Sequence, residues 1–382
     1  MKVTFKHIGT IIVIVLGAQA LIGFTFFNGK KAIKEETVEY THTLVPGSTI
    51  EISNRLGDIS ISGWDKEIIY VKAIKKAPQD ELASIKIDTY FANDHARIVT
   101  LGKTAQSTRY SFSFFSFSIS KDTTSTQVDY SVKVPYNCLL KFIDTKNGDI
   151  TIKDIENSVS ASTALGTIKA ENIKKELSLK TDNGNIECNA VSGAAAIDTA
   201  CGTVSVKNAL SALTVHTSNG DVKVTTNRGP LTIETVRGNV TASGIENAVS
   251  ITTQNGDIDL EQTQGPLIIS AVQGNIKVQK IDGPSSISTT NGDITLTQQN
   301  LSHTKKIDLK TVRGSIQLTL PKAAQAHIKA KAVSGTVHLT PLDKTLFKEK
   351  SSHEIEAFIG GKEIQEPKIV LQATSGSITI RS

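Results

Sequence analysis

At 382 residues, with 38% hydrophobic and 21% charged side chains and a formal net charge of +5, the chain has ample core-forming material and no strongly basic balance. Five lysines, Lys2, Lys6, Lys30, Lys31 and Lys34, flank one apolar segment. No basic stripe is left to follow a phosphate backbone, which excludes nucleic acid as a partner.

Residues 1–7 read as a short tail. Residues 8–27 form an uncharged apolar run of twenty, about the length that spans a hydrocarbon core as a helix. Ala18-Gln19-Ala20 has the small residues of an export-signal cleavage site, but Leu21, Ile22, Phe24, Phe26 and Phe27 carry the run past it, which favours an uncleaved membrane anchor. A polar linker, 28–37, follows.

Residues 38–142 read as an irregular β region. Thr49-Ile50-Glu51-Ile52-Ser53, Leu56-Gly57-Asp58-Ile59-Ser60-Ile61 and Ile68-Ile69-Tyr70-Val71-Lys72-Ala73 are strands by their period of two and β-branched content. Trp64 sits at the turn Ser62-Gly63-Trp64-Asp65, as a plug over the end of the core or as a stacking surface for a ligand. Further on, residues 110–119 hold four of the twelve phenylalanines, Phe112, Phe114, Phe115 and Phe117. The alternation changes parity at Phe114-Phe115, so either a bulge realigns these rings into the core or they stand on a loop, partly exposed to a partner or membrane. Trp64, Phe112, Phe114, Phe115 and Phe117 are the candidate partner-binding residues.

From residue 143 to 340 one phrase recurs, seen first as Asn147-Gly148-Asp149-Ile150-Thr151-Ile152. Its glycines, Gly148, Gly166, Gly184, Gly202, Gly220, Gly238, Gly256, Gly274 and Gly292, are eighteen residues apart, and Gly314, Gly335 and Gly376 continue it with longer steps. A period this regular signals a stacked array. Two residues after the glycine stands only Ile or Val, as in Ile150, Val222 and Ile294; four after and five before are again apolar. Three before is mostly threonine, Thr145, Thr163 and Thr181 among them, a ladder whose cross-strand pairs are each worth roughly 0.2–1 kcal/mol. Inward positions are odd before the glycine and even after it, so the glycine is a bend between two short half-buried strands. Asn precedes the glycine in alternate copies, at Asn147, Asn183, Asn219, Asn255 and Asn291, which leaves thirty-six residues per coil as the alternative to eighteen. Residues 341–382 read as a polar insertion and a terminal capping repeat.

Chemistry is sparse. The cysteines Cys138, Cys188 and Cys201 leave at least one unpaired and read as small apolar fillers. The aspartates Asp149, Asp221, Asp257 and Asp293 recur beside the glycine, where a tight turn favours them. The histidines are scattered, and no phosphate loop or nucleophile elbow stands out, so neither a cofactor nor a metal site is expected.

The glycine-anchored copies, with Gly57-Asp58-Ile59-Ser60-Ile61-Ser62-Gly63-Trp64-Asp65-Lys66, resemble the bacterial putative-adhesin family of β-strand repeats, a family of undefined function, over residues 38–382. The resemblance implies an adhesin-like, envelope-associated repeat protein and transfers no active-site residue. The expectation is an all-β chain: one β-solenoid of eighteen-residue repeats, with an irregular N-terminal part and a capped C-terminus, behind one membrane helix. Its function would be non-enzymatic binding or scaffolding outside the cytoplasm, its partners the membrane through residues 8–27 and an envelope protein or glycan. A polysaccharide-active β-helix enzyme and a regulatory envelope-stress protein with a membrane partner are the alternatives.

Overall fold

The computed structural model describes residues 14–16, 32–101, 108–112, 115–119, 126–340, 344–361, 363–364 and 366–382. Apart from one helical turn, Gln79–Leu82, the described residues are β-structure and loops, in two compact units, Met1–Glu176 and Leu177–Ser382. Among the described residues no helix is long and apolar enough to cross a membrane. Of the segment 8–27, Ile14–Leu16 is a short strand antiparallel to residues 37–39, and the rest lies outside the described residues.

In the second unit each copy of the phrase is one coil. The strand before the glycine, such as Val249–Asn255, pairs in parallel with Leu267–Gln273, and the strand after it, Ile258–Gln264, with Ile276–Asp282. Ile251 lies beside Ile269 and Ile258 beside Ile276, so the coil is eighteen residues. The thirty-six-residue alternation is one of chemistry along a single stack.

Six side chains per coil point inward. Around Gly256 they are Val249, Ile251 and Thr253 before it and Ile258, Leu260 and Thr263 after it, all buried. The last of these, seven after the glycine, breaks the even parity expected from the sequence. The reason is a left-handed residue one place earlier: Ala190, Asn208, Thr226, Gly244, Gln262 and Lys280 stack there with φ between 55° and 66°. Such a bulge adds one residue to the strand and turns the next side chain back to the core.

The threonine rungs are inward, as expected, but not uniformly bonded. Thr199, Thr289 and Thr311 donate to the carbonyls of Gly184, Gly274 and Gly292 at 3.4, 3.3 and 3.0 Å. The hydroxyls of Thr217, Thr235 and Thr253 are buried without a partner, so for them the stacked methyl is the stabilising part. At the glycines a Cβ has no room: one built on Gly256 would overlap the carbonyl oxygen of Gly238, and one on Gly238 that of Gly220.

The last repeat in sequence is not the end of its stack. The coil of Gly376, Lys368–Ser375 and Ile378–Arg381, pairs on one side with the Gly314 coil and on the other with the Gly335 coil. The terminal capping repeat expected within residues 341–382 is thus an inserted rung, because spacing along the chain does not specify pairing order. The outermost coil is that of Gly335, and Glu354–Ile359 covers it by pairing antiparallel with Ala326–Ser334, followed by Leu346–Lys350.

The first unit uses the same loop-back. Thr49–Leu56 and Ile59–Trp64 form the coil of Gly57, which pairs in parallel with the Gly148 coil, Leu139–Asn147 and Ile150–Ile155. Asp149 N donates to Asp58 Oδ1 at 2.8 Å across a gap of 91 residues. On its other side lie His95–Leu101 and Gln127–Pro135. Antiparallel strands close the stack: Lys86–Ala92 on His95–Leu101, and Ile68–Pro78 on Gln127–Pro135 with Ile33–Thr43 beyond. Strand therefore begins at Ile33, inside the stretch read as linker.

Two consequences are measurable. Gly256→Ala is expected to cost about 3 kcal/mol or more, since two backbones must part, whereas Thr226→Asn relieves a β-branched residue at φ 60° and gains about 1 kcal/mol; urea unfolding of each variant checks both signs. At the C-terminal cover, Glu356 accepts from His327 Nε2 at 3.0 Å and pairs with Lys329 and Lys348 at 3.1 and 3.6 Å. The His327 bond first, and the lysines after it, hold its carboxyl below the ordinary 4.5. A depressed folded value contributes stability above the unfolded value and loses it as pH falls through the folded one. Amide protection of Ala326–Ser334 should therefore hold down to about pH 5 and fall further down, and Glu356→Gln should remove that dependence.

Candidate functional site

The left-handed residue shapes the outside as well as the core. Side chains five and six after the glycine both turn outward, the seventh turns in, and the eighth turns out again. In the second unit the residues six and eight after the glycine on four coils, with Gln299 and Asn300 seven and eight after Gly292, where Gln298 takes the inward place, wall a groove of about 790 Å³. Thr226, Gly244, Gln262, Lys280 and Gln299 mark five successive coils along it, four spacings or about 19 Å. Gly244 keeps part of it open: a Cβ there would meet nothing nearer than Thr226 at 3.7 Å.

The lining is rich in amides and carboxylates. Gln262, Gln264 and Gln299 make no side-chain hydrogen bond among the described residues. Asp282 Oδ1 accepts no hydrogen bond, with His303 Nδ1 at 3.6 Å as its nearest partner. Lys280, the cation of the lining, is held by Glu261 at 2.6 Å, and that bond keeps the Glu261 carboxyl below its ordinary value. Glu246 lies 3.6 Å from Arg228 Nε. A second hollow of about 520 Å³ shares Gln299 and Asn300 and adds an apolar wall from Leu301, Pro321 and Ala323. Ile364, Glu366 and Pro367 also line it, so part of the C-terminal insertion reaches this surface.

The recurrent residue after the glycine is a capping ladder. Asp221 Oδ1 accepts from Asn239 N, Asn239 from Asp257, Asp257 from Asn275, Asn275 from Asp293 and Asp293 from Ser315, at 2.7–3.0 Å. Alternating Asp with Asn avoids carboxylates on adjacent rungs, where repulsion costs about 1 kcal/mol per pair. Asp58 beside Asp149 in the first unit is an exception. Among the described residues no group of three His, Cys, Asp or Glu is placed to hold a metal.

The five residues nominated from the sequence belong to the first unit. Trp64 ends the strand Ile59–Trp64, its Nε1 donating to the Ile68 carbonyl at 2.8 Å. Lys66 and Lys133 place their ammonium groups 5.1 and 5.5 Å from the ring centroid. Phe112 and Phe115 are register partners in a two-stranded antiparallel sheet, Thr108–Phe112 with Phe115–Ile119, in which Phe117 pairs with Tyr110. Phe114 lies outside the described residues. Of the cysteines, Cys138 and Cys188 are buried, which pushes their thiols up to about 12, while Cys201 is exposed.

Even parity after the glycine, with two and four as the inward places, leaves the groove residues out of sight. The signal was present: seven after the glycine stand Ile155, Ile173, Val191, Ala209 and Ile245, and the place before holds Asp154, Asn172 and Asn208, residue types that tolerate left-handed backbone.

These coils define an all-β repeat protein built on a glycine corner. The chain belongs to the Toastrack DUF4097 family, whose model matches it twice, over residues 48–264 and 207–381. No curated protein matches it. Similar solved structures include one described as a putative cell adhesion protein from Clostridium sporogenes, 11% identical, covering 90% of this chain and 98% of that one, with a TM-score of 0.17. Another is a putative adhesin from Bacteroides fragilis, 14% identical, covering 90% and 96%, with a TM-score of 0.19. A third is described as a putative lipid binding protein from Parabacteroides distasonis, 14% identical, covering 74% and 94%, with a TM-score of 0.22.

The ladder makes a prediction that a ligand site would not. Asp257→Asn should leave stability unchanged, since Asn239 and Asn275 do the same work, while Asp257→Ala should cost about 1 kcal/mol for the uncapped N–H. Calcium should shift neither unfolding curve.

Proposed function

We propose that the chain is a non-enzymatic, adhesin-like binding or scaffolding protein of a bacterial cell envelope, a β-solenoid surface held outside the cytoplasm by an N-terminal anchor at residues 8–27. The observation that carries this reading is the open polar groove of the second unit. The strand backbones are spent on neighbouring coils and the inward side chains on the core, yet Gln262, Gln264 and Gln299 hold unpaired amides outward. Free donors and acceptors carried on a rigid sheet leave only the glutamine side chains, and no backbone, to be ordered on contact.

The test has two arms. Full-length chain in detergent should be retained on envelope fractions without shortening their glycans; absence of retention on every fraction would overturn the binding reading, and glycan turnover would overturn the non-enzymatic one. Protease added to intact cells should cut within residues 38–382. Protection there, relieved on permeabilising the cells, would overturn the proposed location.

A further inference from the structure

We infer that the groove of the second unit binds a neutral, linear glycan lying across the coils; the inference rests on the binding-surface reading above and names the ligand class. The lining decides the chemistry. Lys280 is paired with Glu261 at 2.6 Å and the carboxylates of Glu246 and Asp282 face the same space, so a polyanion would meet repulsion and no free cation. An extended peptide would need an unpaired strand edge, but here the strands are hydrogen-bonded to the coils on both sides. An apolar ligand would leave three exposed glutamine amides desolvated without partners, at roughly 1–3 kcal/mol each.

A sugar chain satisfies all of these groups. Its hydroxyls donate to the Asp282 carboxylate and the glutamine carbonyls, and accept from the glutamine NH₂ groups, each of which offers two donors. Its C–H faces suit the wall of Leu301, Pro321 and Ala323 in the adjoining hollow, which shares Gln299 and Asn300 with the groove. The amides stand on two coils of the stack, Gln262 and Gln264 on one and Gln299 two coils on, with Lys280 and Asp282 on the coil between, so the ligand must be long enough to cross coils, and its sugars need only present hydroxyls at each crossing.

The test is a titration of the full-length chain in detergent with neutral oligosaccharides of increasing length, β-1,4-linked N-acetylglucosamine and β-1,4-linked glucose, beside oligogalacturonate as the anionic comparison. Affinity for at least one neutral series should rise with length until the chain spans about 19 Å and then level off. Gln262→Ala combined with Gln264→Ala should weaken binding tenfold or more. Gly244→Asn, at a left-handed position that asparagine tolerates, should fill the open stretch and bring the plateau to shorter chains. Thr241→Ala, whose side chain is outside the groove, should change nothing, and equal unfolding midpoints establish that all variants fold. Binding to neither neutral series, preference for oligogalacturonate, or a double variant that binds as wild type would each overturn the inference. Retention on envelope fractions separates the two proposals: if it persists while oligosaccharide binding is absent, the groove assignment fails and the binding reading stands, whereas loss of both removes the broader reading.

Discussion

From Gly148 onward the corner glycines stack with Cα against the carbonyl of a neighbouring coil's glycine, so close that Gly148 on Gly57, Gly256 on Gly238 and Gly335 on Gly376 leave no room for a Cβ. This contact sets the register of both strands of a coil at once, because they leave the same corner in fixed directions. Once the corners are stacked, Ile must meet Ile two after the glycine and Thr must meet Thr three before. The capping ladder is a further consequence, since the N–H just past one corner comes within reach of the Asp or Asn side chain of the corner before it.

A stack of identical rungs has the difficulty that its last rung exposes an unpaired strand edge. Both units answer it by returning the chain. In the first, the Gly57 coil is covered by strands that follow it in sequence, and the chain then comes back to add the Gly148 coil on the other face. In the second, the chain overshoots to the Gly335 coil and returns to fill the rung between it and the Gly314 coil. The outermost rungs are thus held by long-range pairings, and antiparallel strands cover them. Covering strands bring their own chemistry, such as Glu356 with the His327 ring and the Lys329 and Lys348 ammonium groups around it.

The interior was largely legible in the sequence because parity about the glycine is a strict geometric rule. Ile251, Thr253, Ile258 and Leu260 could be placed from spacing alone, and the structure buries all four. Thr263 could not, since a left-handed residue resets parity without changing the eighteen-residue period; the groove depends on that residue and was hidden with it. The place of the Gly376 coil was equally hidden, because spacing reports that a rung exists and not which rungs it joins. The alternation of Asn-Gly-Asp with other copies was visible and left thirty-six residues per coil as the alternative to eighteen; the coil is eighteen, and Asp and Asn take turns after the glycine along one ladder.

The same bulge separates the demands on core and surface. In the coils that carry the bulge, the side chain seven after the glycine must fill the interior, while six and eight after it are free to vary, and they do: Thr226, Gly244, Gln262 and Lys280 share one backbone conformation with four different side chains. For the three that carry a Cβ, that conformation costs roughly 1–2 kcal/mol, tolerated because the coils on either side hold the backbone in place. A repeated strained corner of this kind lets a chain change what it presents to a ligand, coil by coil, without disturbing the ladders that hold it together.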